Sequence, residues 1–160
     1  MRNTENKPRI SKWIGRGYLL ITIALVLIYG AIILSVQASP LLAIQISIVM
    51  IIVIILLLAI VYSLYKTKYT IKNGRLYSWS PFAIVNIGIK EIAKVENTRI
   101  PFYFKGFGAS VYSGRFYIPA VGWTRVIITN LTDGLLIKTK QGKNYLITPS
   151  NPKVFAKALK

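Results

Sequence analysis

The fold class this sequence predicts is an α+β membrane protein: a two-helix transmembrane hairpin followed by a small bent β-barrel or sandwich, capped by a C-terminal helix. Three observations predict it. Two long apolar runs carry no charge, a turn-punctuated stretch rich in Ile, Val, Tyr, Phe and Thr follows them, and a short amphipathic segment closes the sequence. About a third of the 160 residues lie in the apolar runs. The remainder suffices for one small domain with a modest core rather than a large enzyme.

The first run, Tyr18 to Val36, has 19 residues and the second, Leu41 to Tyr65, has 25. A helix rising about 1.5 Å per residue crosses roughly 29 Å in 19 residues, close to the hydrocarbon thickness of a bilayer. The longer run spans with some tilt. Gln37, Ala38, Ser39 and Pro40 connect them. Pro40 suits the first turn of the second helix and opposes one continuous helix, and so short a connection makes the helices antiparallel neighbours. Neither run has a polar stripe, which argues against a buried helix pair in a soluble core. Val36-Gln37-Ala38 resembles a signal-peptide cleavage site behind a basic N-terminus. A signal core usually has about 7–15 apolar residues, however, and this run is longer.

Charge gives the direction of the hairpin. Lys and Arg number 21 against 4 Asp and Glu, a net charge of +17. Residues 1–17 carry five cations and one anion, residues 18–65 carry no charge, and residues 66–160 carry 16 cations and three anions. Cations flank both outer ends of the hairpin and none lies in its turn, so the positive-inside rule predicts both termini in the cytoplasm of a multi-pass plasma-membrane protein. The expected boundaries are a basic cytoplasmic N-terminus at 1–17, transmembrane helices at 18–36 and 41–65, an extracytoplasmic turn at 37–40, and a cytoplasmic domain at 66–160. Trp13, Tyr18, Tyr62 and Tyr65 are placed as interfacial anchors. Thr22, Gln37, Gln45 and Ser47 are the main polar groups at or within the spans and are candidates to link the helices. With no ionisable residue inside the spans, a proton relay, voltage sensor or ion-coupled transporter built from this chain alone is disfavoured.

Beyond Lys66 the pattern changes to short strands. Asn73-Gly74 joins Lys68–Lys72 to Arg75–Ser80, a strong hairpin signal. Asn86–Lys90 and Ala93–Arg99 read as strands, followed by Gly114–Ile118 and Gly122–Thr129. Asp133-Gly134 turns into Leu135–Lys140, and Gln141-Gly142 turns into Lys143–Thr148. Ser150-Asn151-Pro152 is a helix start, with Ser150 or Asn151 as cap. Val154, Phe155, Ala158 and Leu159 then share one helical face. Trp79, Ile87, Ile92, Val95, Ile127, Leu136, Leu146 and Phe155 are the expected core.

Four stretches carry a family resemblance: Tyr69-Thr70-Ile71-Lys72-Asn73-Gly74-Arg75-Leu76; the Ile-x-Ile-x-x-Ile-x-x-Val pattern from Ile87 to Val95; Gly106-Phe107-Gly108 with Ser113-Gly114-Arg115-Phe116; and Tyr145-Leu146-Ile147-Thr148-Pro149-Ser150-Asn151-Pro152. Residues 68–160 resemble the prokaryotic pleckstrin-homology-like (PH-like) domains found behind a transmembrane hairpin. Where that motif often has Asp before the proline, Asn151 stands here and should still cap. The resemblance implies a seven-stranded, strongly bent β structure with a C-terminal helix. It implies no particular function, since one fold hosts many roles.

Composition excludes much catalytic chemistry. The chain has no His and no Cys, which removes His- and Cys-based triads, thiol chemistry and Cys/His metal sites. Glu91 and Glu96 are five residues apart and share no face, and Asp133 reads as a turn residue. Gly106-Phe107-Gly108 lacks the following helix of a phosphate loop. No catalytic residue, metal, cofactor or small-molecule substrate is expected. Residues 100–117 crowd Phe102, Tyr103, Phe104, Phe107, Tyr112, Phe116 and Tyr117 among Lys105, Arg115 and glycines. These aromatics either fill the barrel, with the glycines at bulges, or form an interfacial or partner-binding loop. The candidate contact residues are Lys66, Lys68, Lys72, Arg75, Phe102, Tyr103, Phe104, Lys105, Phe107, Tyr112 and Arg115. Nucleic acid is a poorer partner despite the pI of about 10.3, because the cations are dispersed and no nucleic-acid motif is present. Asn130-Leu131-Thr132 is a glycosylation sequon, which a cytoplasmic location leaves unused. The expected function is a non-catalytic, membrane-anchored module that binds anionic lipid headgroups or a protein partner, with a homo-oligomer also open. The alternative is an accessory subunit of a membrane complex assembled through the hairpin.

Overall fold

The computed structural model describes residues 4–6, 8, 10–35, 39–100, 104–110 and 112–159, with the side chains of 4–6, 13, 14 and 104–110 outside that description. The chain divides into a helical unit, residues 12–62, and a β-rich unit, residues 1–11 and 63–160.

The helical unit contains α1 (Lys12–Ser35) and most of α2 (Pro40–Lys66). Ala43 N donates to Ser39 O at 3.1 Å, so Ser39 opens α2 with Pro40 in its first turn. Large apolar side chains are exposed around both helices, among them Leu20, Leu27 and Leu34 on α1 and Leu41, Ile48 and Ile55 on α2. A helix apolar on every side suits hydrocarbon rather than water. Both helices are long and apolar enough to cross a membrane. The Tyr29 hydroxyl on α1 and Ser47 Oγ on α2 make a polar contact between them at 2.8 Å. Ser47 gives its single proton to Ala43 O at 2.7 Å, so Tyr29 is the donor between helices. Of the expected linking groups, Ser47 does link, whereas Thr22 donates back to Tyr18 O within α1. Gln45 is exposed. Gln37 lies outside the described residues.

In the β-rich unit, Thr67 ends α2: its N and Oγ1 both donate to Ser63 O, at 3.1 and 2.7 Å. The first sheet joins β1 (Thr4–Asn6), β2 (Lys68–Lys72), β3 (Arg75–Ser80) and β4 (Ala83–Gly88) in that order, all antiparallel. Asn73 and Gly74 at the β2–β3 turn have φ of 52° and 69°, the left-handed pair that a two-residue hairpin requires. A 3-10 turn, Ile89–Glu91, leads to β5 (Ile92–Arg99). Then come β6 (Phe104–Ser110), β7 (Ser113–Ile118), β8 (Gly122–Ile127), β9 (Asp133–Thr139) and β10 (Asn144–Ile147). The second sheet has the order β5-β9-β10-β8-β7-β6, antiparallel except for β8 with β10. Helix α3 (Pro152–Ala158) closes the chain.

The middle of the second sheet is buried on both faces. Alternation sends Ile127, Leu135, Ile137 and Ile147 to a core shared with Tyr69, Leu76, Val85 and Ile87 of the first sheet and Phe155 and Leu159 at α3. It sends Val126, Ile128, Leu136 and Leu146 to a second core with Phe116 and Ile118. This is why Val126-Ile127-Ile128 and Leu135-Leu136-Ile137 are continuous apolar runs rather than alternating ones. Tyr69 stitches the sheets together. Its hydroxyl donates to Ile127 O at 3.0 Å and lies 3.3 Å from Thr148 Oγ1, which accepts from Thr129 N at 2.8 Å.

The order of elements is the expected one, with four corrections. Ten strands are present among the described residues, where the resemblance implies seven and the sequence segments number eight; Thr4–Asn6 and Phe104–Ser110 are the two that the segments lacked. The strand expected at Asn86–Lys90 runs from Ala83 to Gly88 and yields to the 3-10 turn. Trp79, expected in the core, is 42% exposed. Leu76, Ser78 and Ser80 take the inward positions of β3, so the same alternation turns Arg75, Tyr77 and Trp79 outward. On α3, Phe155 and Leu159 are buried, but Val154 is 53% exposed and Ala158 is exposed too, because the buried stripe runs through Ala156 instead. The other expected core residues hold: Ile87, Ile127, Leu136, Leu146 and Phe155 are buried, with Ile92 and Val95 packed at the edge.

Candidate functional site: two cation-aromatic surfaces

The outward face of the first sheet gathers three of the candidate cations. Register sets Lys68 opposite Trp79 and Trp79 opposite Ile84, Tyr77 opposite Asn86, and Lys72 opposite Arg75. Lys68, Lys72, Arg75, Tyr77 and Trp79 are exposed, and Ile84 is 57% exposed. Arg75 Nε donates to Asn86 Oδ1 at 2.7 Å, which holds the guanidinium against the sheet. Lys66, at the end of α2, is exposed as well. Tyr77, Trp79 and Ile84 were not among the sequence candidates. The signal for them is the period-2 pattern, which assigns Trp79 to the face opposite Leu76.

Arg115 lies elsewhere, exposed on the second sheet and directly opposite Arg125. The next pair on that face is Tyr117 with Trp123, edge to face at 5.8 Å. Lys143 and Tyr145 complete a groove of about 400 Å³ with Arg115, Trp123 and Arg125. Trp123, Arg125 and Lys143 were also not foreseen. A hairpin turning at residues 119–121 fixes these pairs, and that signal is readable from Gly122.

Phe102 and Tyr103 lie outside the described residues. Phe104, Lys105 and Phe107 sit on the edge strand β6, their side chains outside the description, and the register shifts at Gly106 and again before Ser110. Glycine bulges of this kind are one of the two readings of that stretch. Phe116 is fully buried and Tyr112 packs against the second core, whereas Tyr117 is 43% exposed. Of the interfacial candidates, Tyr62 and Tyr65 are exposed and Tyr18 is half-buried. The side chain of Trp13 lies outside the description.

Two of the carboxylates, Glu96 and Asp133, have local partners. Glu96 pairs with Lys94 and lies 3.8 Å from Lys138. The hydrogen bond from Lys94 lowers the Glu96 carboxyl below its usual range, and the charge of Lys138 adds to this. Asp133 accepts from Thr132 Oγ1, beside the buried Asn130, whose Oδ1 accepts from Thr132 N and Asp133 N. The Asn130 amide is therefore a turn clasp. A cleft of about 530 Å³ between β5 and the start of α3 contains Asn97, Arg99, Asp133 and Asn151. Register sets Arg99 opposite Asp133 there, so its charges are of both signs.

Residues 67–160 match the family model described as bacterial PH domain. The chain belongs to that family, as two long apolar helices followed by a PH-like β-sandwich with a C-terminal helix. PH domains are generally non-catalytic. No curated protein matches the chain, and no solved structure does.

Proposed function

We propose that the protein is a non-catalytic, membrane-anchored PH-like module whose β-rich domain engages anionic headgroups at the cytoplasmic face of the plasma membrane. The proposed organisation is a basic cytoplasmic segment at 1–17, spans at 18–36 and 41–65, an outer turn at 37–40 and a cytoplasmic domain at 66–160, with Trp13, Tyr18, Tyr62 and Tyr65 at the interfaces. The observation that carries the reading is the outward face of the first sheet, where Lys68, Lys72 and Arg75 stand with exposed Tyr77 and Trp79. Cations attract an anionic leaflet at about 1 kcal/mol each, and Trp and Tyr settle at the headgroup level. Lys66, Lys105 and Arg115 add charge, and Phe102, Tyr103, Phe104, Phe107 and Tyr112 belong to the aromatic stretch assigned to the same or a protein contact. The absence of His and Cys and the local pairing of Glu96 support a non-catalytic role.

The test uses the full chain with Trp79 as its one tryptophan (Trp13→Phe, Trp123→Phe), in vesicles containing a nitroxide-headgroup lipid. Trp79 quenching should rise when phosphatidylglycerol replaces phosphatidylcholine and fall back in 1 M salt, where the screening length is about 3 Å. Equal quenching in both lipids at low salt would remove the proposal.

A second reading, an accessory subunit or homo-oligomer assembled through the hairpin, is favoured by Gln45. Its amide is exposed among apolar side chains of α2 and makes no hydrogen bond among the described residues. Under that reading Gln45→Leu releases whatever co-purifies with the chain; under the first it does not.

A further inference from the structure

Arg115 and Arg125 stand directly opposite each other in the antiparallel β7–β8 pair. Like charges in that position weaken a sheet. Neither guanidinium has a hydrogen bond or ion pair among the described residues, where Glu96 serves Lys94 and Lys138. Lys143 brings a third cation to the same groove of about 400 Å³. Tyr145 lies opposite Arg125 on the β10 side. Trp123, 61% exposed, and Tyr117 form an aromatic pair beside it. Among the described residues, these three cations stand together without an acidic partner. The missing negative charge must come from another molecule, and paired guanidinium forks match the oxygens of a phosphate.

We infer that this groove seats the phosphate of one anionic phospholipid between Arg115 and Arg125, with Lys143 as the third contact. The inference rests on the headgroup reading above and adds a discrete site to it. The outward face of the first sheet spreads its cations over an open surface, which suits diffuse attraction. The groove is concave and sized for one headgroup. A domain tethered to a bilayer meets headgroups at a far higher local concentration than soluble phosphates, and the exposed Trp123 and Tyr117 are residue types that settle at the headgroup layer. A second copy of this chain is a poor occupant, since its own domain has three carboxylates against 16 cations.

The test is native mass spectrometry of the full chain released from phosphatidylcholine nanodiscs containing a minor fraction of phosphatidic acid. The wild type should retain one phosphatidic acid and no phosphatidylcholine. At about fivefold per cation, Arg115→Gln with Arg125→Gln should weaken retention about 25-fold. The melting temperature should rise in the same variant, because the opposed like charges are gone. Lys153→Gln with Lys157→Gln, exposed cations on α3, should leave the retained lipid in place. Equal retention by the arginine variant overturns the groove; if Trp79 quenching still depends on phosphatidylglycerol in that protein, the headgroup reading survives. If the wild type shows neither lipid preference, both fall. Inorganic phosphate bound as tightly as phosphatidic acid, or an arginine-dependent acidic peptide or oligonucleotide that displaces the lipid, assigns the groove to another ligand and overturns the inference.

Discussion

The Tyr69 hydroxyl reaches from β2 to Ile127 O and Thr148, so Tyr69→Phe keeps the ring packed against Phe155 and removes only the polar stitch. The expected loss is about 1–3 kcal/mol in chemical denaturation at neutral pH. Burial pushes this phenol up to about 12, above the unfolded value near 10. The neutral form is therefore the one the fold stabilises: that contribution is complete below about pH 10 and is lost as pH rises through about 12. The wild type should lose more stability than Tyr69→Phe between pH 9 and 11. Ser78 presents the converse case. Its hydroxyl is buried with no hydrogen-bond partner among the described residues, so Ser78→Ala should raise stability by up to about 1 kcal/mol, read as a higher denaturation midpoint. Trp79 separates the two readings of β3. As a core residue its replacement by Ala would cost about 3–5 kcal/mol; as the exposed neighbour of Lys68 it should cost under about 1 kcal/mol while reducing membrane engagement.

Elements with strong local chemistry were legible in the sequence. The Asn73-Gly74 hairpin has the expected ends at Lys72 and Arg75, because both turn positions need positive φ. The start of α3 also agrees: Asn151 Oδ1 accepts from Val154 N at 3.3 Å, and Asn151→Ala should cost about 1 kcal/mol in thermal unfolding. The elements that were not legible are those whose pairing is set at a distance. Thr4-Glu5-Asn6 is too short and polar to announce a strand and becomes one only by pairing with β2. Gly106 and Gly108 weaken the strand signal of β6, which its pairing with β7 restores. The site followed the same rule. Lys68, Lys72 and Arg75 were readable as cations, but their company with Trp79 depends on which face Leu76 takes. The groove depends on β10 lying parallel to β8, which brings Tyr145 beside Arg125, and no local signal encodes a parallel pairing.

At the scale of the molecule, charge and apolarity are divided between the two parts. No charge lies in residues 18–65, and 16 cations lie beyond them. That division is what a domain held at an anionic inner leaflet requires, and all the proposed contacts depend on the hairpin crossing the membrane with its turn outside. The chain has no cysteine, so single introduced thiols report sidedness without background. In intact cells treated with a membrane-impermeant maleimide, Ser39→Cys should label while Gln141→Cys labels only after permeabilisation. Labelling of Gln141→Cys in intact cells, with Ser39→Cys protected, would place the domain outside and contradict the account.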